Sequence, residues 1–196
     1  ARFKNWQRIC WRDREADDGL GLATSVMNPQ TRTVIHTRDK DMRMLPGTHL
    51  TWVDYLLVHV PPGAYEVIGG DGETYGHKWF WLQMLHGDGA DFIPGLEKYD
   101  GKNVGPVTAQ ELLLGTTCNE EAWEVVSRCY AATYGEQWAD RLVEQAGLLW
   151  IRTTSRAPIH EFLSVVPSSR DVLVAVARLQ ARVTEQEKRI AAIVEG

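Results

Sequence analysis

The sequence predicts an α/β fold that passes into an all-helical C-terminal region. Short runs of β-branched and apolar residues, at 33–37 and 56–60 among others, alternate with helical patterns up to about residue 86. From Pro106 onward the pattern is mainly helical, interrupted by a mixed segment at 152–167. The closing segment places apolar residues at heptad spacing.

Length and composition set the frame. The chain's 196 residues suit one domain, or one domain with an appendage, and can bury a sizeable core. With 44% hydrophobic residues and eight Trp it has the composition of a soluble globular protein. No run approaches the roughly 18 apolar residues of a membrane span, and residues 1–6 lack the apolar stretch of a signal peptide, so a membrane is not expected as partner. Cys10, Cys118 and Cys129 are odd in number and lack metal-ligand spacing, which points to buried thiols in a reducing, cytoplasmic setting. A formal charge of −5 argues against a nucleic-acid partner at first sight. Without the seven acids grouped below, however, 19 Asp+Glu stand against 21 Lys+Arg, so the acidity does not exclude DNA.

Residues 1–11 are basic and aromatic, a helix end leading into a strand at 8–11. A helix over 19–27 is followed by the turn Asn28-Pro29-Gln30 and the strand 33–37. Residues 39–45 suit a helical turn stopped by Pro46-Gly47. Strands at 49–52 and 56–60 follow, and 65–68 pairs with one of them before the turn Gly69-Gly70-Asp71-Gly72. Residues 74–86 read as a helix with Trp79, Leu82 and Leu85 on one face. After a breaker-rich stretch, 106–114 is a helix with Pro at its first turn and Gly115 just past its end. Thr117 and Glu120 have capping-box spacing for a helix reaching about 133, and 135–150 supplies another. Residues 152–167 are mixed. Ser168 and Ser169 cap the last helix, whose Val172, Val176, Leu179, Val183, Ile190 and Ile193 fit a/d positions over about three heptads. That helix suits either intramolecular packing or self-association.

The chemistry-bearing feature is a set of carboxylates in three places. Glu15, Asp17 and Asp18 lie at a helix start; Glu15 and Asp18 are three apart and share a face. Asp39 and Asp41 follow directly on a strand, where α/β folds gather their ligand sites. Asp88 and Asp91 lie in a glycine-rich turn that puts both on one side. Taken singly, each group also reads as a solvated helix start, a cap or a turn. Taken together they describe one divalent-metal site, because carboxylates held close repel unless a cation sits between them. The six His residues (36, 49, 59, 77, 86 and 160) show no ligand spacing, and Trp79, Trp81, Trp123, Trp138 and Trp150 read as core.

The order of the motifs is Glu-Ala-Asp-Asp on a helix, a strand then Asp-x-Asp, and Gly-Asp-x-x-Asp-x-Ile-Pro-Gly ahead of Gly-Pro-x-Thr-Ala. Over about residues 8–115 this resembles the flap endonuclease/5′→3′ exonuclease family, in the style of its phage-type members and of the nuclease domain of bacterial DNA polymerase I. The resemblance implies a partial Rossmann-like (PIN/flap-endonuclease-type) core in residues 1–86. A helix-three-turn-helix DNA-binding hairpin with a helical region would occupy 87–166, and an amphipathic helix 167–196. It implies a metal-dependent nuclease of a bacterial or phage-infected cell, with two Mg²⁺ or Mn²⁺ ions, acting on DNA at 5′ ends, flaps or nicks. Carried over by position, Glu15, Asp17 and Asp18 match the middle acidic motif, Asp39 and Asp41 the post-strand pair, and Asp88 and Asp91 the last pair. All seven are thereby candidate catalytic and metal-binding residues, with Asp18 and Asp39 the first choices for direct ligands.

Residues 95–114 resemble the family's hairpin, in which Val104, Gly105, the following helix start and Thr108 would hold a phosphate. Phe92 stands where the family has Asn, Val107 where it has Lys, and residues 96–103 lengthen the connection; Lys98 and Lys102 within it can supply the charge. The family's first strand, with its metal-binding Asp, and its helical arch have no counterpart before Glu15. The resemblance thus implies a C-terminal part of the nuclease core, completed by an N-terminal segment or a second chain, and weak or absent cleavage by residues 1–196 alone. The competing expectation is a non-catalytic DNA-binding and assembly module with a coiled-coil-like tail.

Overall fold

In the computed structural model, residues 10–12, 14–26, 33–167 and 169–194 are described. About half of these are helical and the strands form three small sheets, a mixed α/β arrangement. Helix α1 (Ala16–Val26) begins three residues earlier than the sequence suggests, so Asp17 and Asp18 fall in its first turn, where the helix dipole favours negative charge. The 8–11 strand and the 28–30 turn lie wholly or partly outside the described residues; Cys10 and Trp11 are irregular.

Strands β1 (Val34–Ile35), β2 (Gly47–Leu50) and β3 (Leu57–Val60) form the first sheet. β1 runs parallel to β2, with Ile35 opposite His49, and β2 runs antiparallel to β3. A parallel pair needs a crossover, and here it contains a 3₁₀ turn at Asp41–Met44. That connection is what brings Asp39 and Asp41 to the carboxyl end of β1. β2 starts two residues before the expected strand, since Gly47 joins the sheet instead of ending the segment.

β4 (Val67–Ile68) pairs not with the first sheet but with β5 (Thr74–Tyr75), closing the Gly-rich turn between them. Thr74 and Tyr75 are therefore strand, and helix α2 is shorter than expected, His77–His86. Its residues from Trp79 to Leu85 are all buried. Such a helix, apolar on every side, belongs in the middle of a fold. α2 packs on α3 (Pro106–Leu112), α4 (Asn119–Tyr134) and α5 (Trp138–Leu149).

The lengthened connection at 96–103 is a hairpin of β6 (Lys98–Tyr99) and β7 (Lys102–Asn103). Asp100 and Gly101 both take positive φ (49° and 73°), the backbone of a tight two-residue hairpin turn. Before α4, the expected Thr117/Glu120 capping box does not form: the N-cap is Cys118, which makes no side-chain cap bond. Glu121, not Glu120, accepts the Thr117 backbone N–H (2.6 Å) and hydroxyl (3.0 Å).

α6 (Pro158–Phe162) and α7 (Arg170–Val194) complete the chain. Phe162 is fully buried among Phe80, Trp81, Trp123 and Trp150, with ring centroids 5.4–6.2 Å away; of the other expected core Trp residues, Trp79 is buried and Trp138 only partly so. The largest core cluster extends from Ile35 to Val176 and draws on all three sequence regions. Along α7, Val172 and Val176 are buried and Leu179 packs on the core, whereas Val183, Ile190 and Ile193 are exposed. Ser168 lies outside the described residues. Of the three thiols Cys129 alone is buried; Cys10 is exposed and Cys118 intermediate, a correction to the expectation of buried cysteines. No described helix is long and apolar enough to cross a membrane.

α1 is seated by a close approach. A Cβ on Gly21 would lie 2.4 Å from the Arg152 carbonyl oxygen and 3.2 Å from Leu45 Cδ2. Backbone cannot retreat as a flexible side chain can, so Gly21→Ala is expected to cost roughly 1–3 kcal/mol. Urea unfolding of the variant measures this.

Candidate metal centre

The crossover after β1 is wound by its own side chains. Asp39 N–H donates to Thr37 Oγ1 (3.0 Å), and Asp39 Oδ1 accepts Asp41 N–H (3.0 Å). Asp41 then receives a bond on Oδ1 from Gln83 Nε2 (2.6 Å), out of the middle of α2. The second pair of acids sits in the turn that leaves α2. Asp88 and Ile93 exchange both backbone hydrogen bonds at 2.8 Å, and Asp88 Oδ1 accepts Ala90 N–H at 2.8 Å. Asp88 is buried and Asp91 exposed, and each offers an oxygen to one place: ligating atoms of Asp41, Asp88 and Asp91 lie within 4.8 Å of one another.

The electrostatics tie the remaining acids to this centre. The Glu15 carboxyl is held above its usual value by the charge of Asp17, then by burial, Asp18 and Asp91. Burial raises Asp17, and Asp18 and Asp39 add to it, while backbone N–H groups oppose the rise. Asp41 is pushed up to about 6 by burial, then by Asp88 and Asp39, against the pull of Lys40 and Gln83. Its neighbour Asp88 moves the other way. Burial acts to raise it, but the Lys40 ammonium at 2.5 Å and the Ala90 N–H outweigh that and leave it below the usual range. As pH falls through about 6 the pair thus takes its first proton on Asp41 and keeps its charge on Asp88, beside Lys40. The Lys40 ammonium is correspondingly raised: burial lowers it, and Asp88, Asp41 and Asp39 more than compensate.

All seven acids proposed from sequence therefore face one electrostatic field, but not in equal roles. Asp41, Asp88 and Asp91 form the compact set. Asp39 is spent partly on its own turn. Asp18, a first choice for direct ligation, is engaged elsewhere: Oδ2 accepts Arg152 Nε at 2.7 Å and Oδ1 the Arg152 backbone N–H at 3.1 Å. With both carboxylate oxygens so occupied, Asp18 anchors α1 to the 150–156 loop.

Three residues absent from the sequence reading complete the picture. Lys40 stands between two named acids, and its position alone marked it. Gln83 is a polar residue in a run of apolar ones, fully buried, and its Oε1 has no hydrogen-bond partner among the described residues. Arg152 carries no local signal at all.

The donor set fits a hard divalent ion. Carboxylate oxygens suit Mg²⁺ or Mn²⁺ over softer metals, and a cation would offset the part of the Asp41 rise that Asp88 and Asp39 add to the effect of burial.

The phosphate contacts expected on the hairpin fare unevenly. Lys98 and Lys102 are exposed on paired strands, and Thr108 is half-buried in the first turn of α3. Val104 is a correction: its side chain is buried, and its N–H donates to the Glu97 carbonyl (3.4 Å), which withdraws it from phosphate binding. The histidines are structural where buried. His49 Nε2 donates to Leu45 O (3.0 Å) and His77 Nδ1 meets Asn119 Nδ2 (3.0 Å).

Comparison with protein-family models, with curated proteins and with solved structures finds no match for this chain.

Proposed function

We propose that this chain carries the metal centre of a nuclease that hydrolyses phosphodiester bonds in DNA, a 5′→3′ exonuclease or flap endonuclease. The observation that carries the reading is the convergence of Asp41, Asp88 and Asp91 from segments 47 residues apart, with Asp91 felt at Glu15, Asp39 felt at Asp41, and Asp17 linked to the set through Asp39. A binding module gains nothing from clustered negative charge beside DNA. The parallel β1–β2 pair with acids at its carboxyl end supports a Rossmann-like, PIN-type core. The order α2, turn, α3 supports a helix-three-turn-helix element, with the β6–β7 hairpin presenting Lys98 and Lys102 to phosphates.

Divalent ions, when bound, supply an activated water and neutralise the charge that develops at the cleaved phosphate. The chain's own contribution is placement. Asp41, Asp88 and Asp91 offer the ligating oxygens, and Gln83 fixes Asp41 from a rigid, buried helix. Arg152 holds Asp18, and with it the helix that carries Glu15 and Asp17. Lys40 neutralises Asp88 until an ion takes that role.

Calorimetric titration with Mn²⁺ and hydrolysis of 5′-labelled flap DNA test the reading. Protein in excess under single-turnover conditions lets even slow cleavage register. Saturable Mn²⁺ binding is the expected result, with cleavage by this chain alone weak or absent and any that occurs dependent on Mg²⁺ or Mn²⁺; no ion binding at millimolar concentration overturns the proposal. The pH dependence has a definite sign. Asp41 must lose its proton to bind an ion, so Mn²⁺ affinity is expected to fall as pH drops through about 6. Without an ion, the raised carboxyl contributes stability below its unfolded value of 3.8, which is lost as pH rises through about 6. Melting curves at pH 4.5 and 7 with and without Mn²⁺ separate the two effects.

A further inference from the structure

Beside the carboxylate centre lies a cleft of about 430 Å³, and Asp39 and Lys40 belong to the walls of both. Its volume falls in the usual range of small-molecule sites. One wall is aromatic. Trp52 stands at the tip of the β2–β3 hairpin, which is clamped by Thr51: the Thr51 N–H donates to Leu56 O (2.9 Å), and Thr51 Oγ1 accepts Leu56 N–H (2.8 Å). Nearly half of Trp52 (48%) is exposed. Its ring is backed by His36 in a near-parallel stack, centroids 4.6 Å apart and planes at 17°. His36 is fixed in turn, since Nδ1 donates to Leu50 O (3.1 Å). The Trp52 ring is therefore held in place before anything binds.

The charges of the cleft are mostly committed. Arg43 pairs with Glu73 (2.7 Å), Asp71 accepts the Tyr75 hydroxyl (2.9 Å), and Lys40 is held by Asp88. Arg38 differs. Its exposed guanidinium lies 5.8 Å from the Trp52 ring centroid and has no hydrogen bond or ion pair among the described residues. The guanidinium lies over the Trp52 ring in a cation–π contact, and a nucleobase can take its place on the ring while the displaced cation, which makes no hydrogen bond or ion pair among the described residues, meets the phosphate. Asp39, Asp54, Asp71 and Glu73 also line the cleft, so the phosphate is met by Arg38, the lining cation that no carboxylate holds among the described residues.

We propose that Trp52, backed by His36, and Arg38 form a stacking subsite for one unpaired base of the DNA strand, next to the carboxylate centre. The proposal rests on the nuclease reading, which supplies the strand. A base inside a duplex cannot enter a cleft of this size, so the subsite takes a nucleotide that has left its helix, as at a 5′ end or in a flap. It adds to the phosphate-holding hairpin a contact indifferent to sequence, because every base offers a stacking face.

The test uses the whole chain with Ca²⁺ and a 5′-phosphorylated single strand carrying 2-aminopurine at successive positions. The wild type is expected to quench the fluorescence at one or two positions. Trp52→Ala should abolish that quenching and weaken binding about 5-fold or more, and Trp52→Phe should restore part of both. Arg38→Ala should lower the slope of log affinity against log salt by about one phosphate contact. Quenching unchanged in Trp52→Ala, or 2-aminopurine left bright at every position by the wild type, overturns the subsite. Mn²⁺ calorimetry on the same proteins keeps the two readings apart. Ion binding without Trp52-dependent quenching removes the subsite and leaves the metal centre, and the reverse result removes the metal centre and leaves the subsite.

Discussion

Asp41→Asn is expected to lower divalent-ion affinity by at least about 100-fold, and metal-dependent cleavage with it. Changing a group that merely supports a metal ligand costs about 10–100-fold, and Asp41 offers its own oxygen to the compact set. Asparagine keeps the shape, and its side-chain oxygen can still accept from Gln83 Nε2, so the fold is not the variable. The stability of the ion-free protein should move the other way. At pH 7 the ionised Asp41 stands against Asp88 and Asp39 in a partly buried place, which is why its carboxyl is raised to about 6. The neutral amide removes that repulsion, so the variant should melt above the parent in EDTA and lose the gain that Mn²⁺ gives the parent. Unchanged Mn²⁺ affinity would exclude Asp41 as a ligand.

Glu161→Ala is expected to destabilise the protein by roughly 2–4 kcal/mol, because it strips a buried acceptor from several donors at once. The Glu161 carboxylate takes the Thr153 N–H (2.9 and 3.0 Å), the Thr153 hydroxyl (2.6 Å), and the Thr154 N–H (3.1 Å) and hydroxyl (3.0 Å). Charge-assisted bonds of this kind are about twice as strong as neutral ones. The loop they fix carries Arg152, and Arg152 holds Asp18. The loss should therefore appear in two readouts, a lower urea midpoint and weaker Mn²⁺ binding. Arg152→Ala should reproduce the second with a smaller part of the first. A Glu161→Ala protein with parental ion affinity would show that α1 keeps its place without the loop.

What the sequence displayed and what it hid follow from the range of each interaction. The acidic residues were legible because their spacing and flanking Gly, Pro and strand residues are local. Their convergence was inferable only because charges so placed need a common cation. The hairpin at 98–103 was hidden by its polarity: Lys-Tyr and Lys-Asn are poor strand formers, although Asp100-Gly101 is a turn signal that could have been read. Thr74 and Tyr75 looked like the start of α2, and it is Gly76, at φ 86°, that separates them from it. Asp18 was misjudged for a different reason. A carboxylate's partner decides its role, and Arg152 lies 134 residues away with nothing between to announce it. The heptad pattern of α7 was real, but a pattern names apolar positions without naming what covers them: Val172 and Val176 meet the core and Ile193 does not.

That separation between Asp18 and Arg152 also orders events in time. Contacts from α1 to the 150–156 loop, through Asp18 and through the Ser25 hydroxyl on Thr153 O, close loops of 134 and 128 residues. Closure over such lengths is slow compared with the local pairing of β2 with β3 or α4 with α5, and it gains nothing until the distant helices exist. On the ribosome, α1 emerges well before the 150–156 loop and must wait for it before it can dock. Glu15 and Asp17 are thus carried toward the acids of the other segments only after the body that holds α1 has formed.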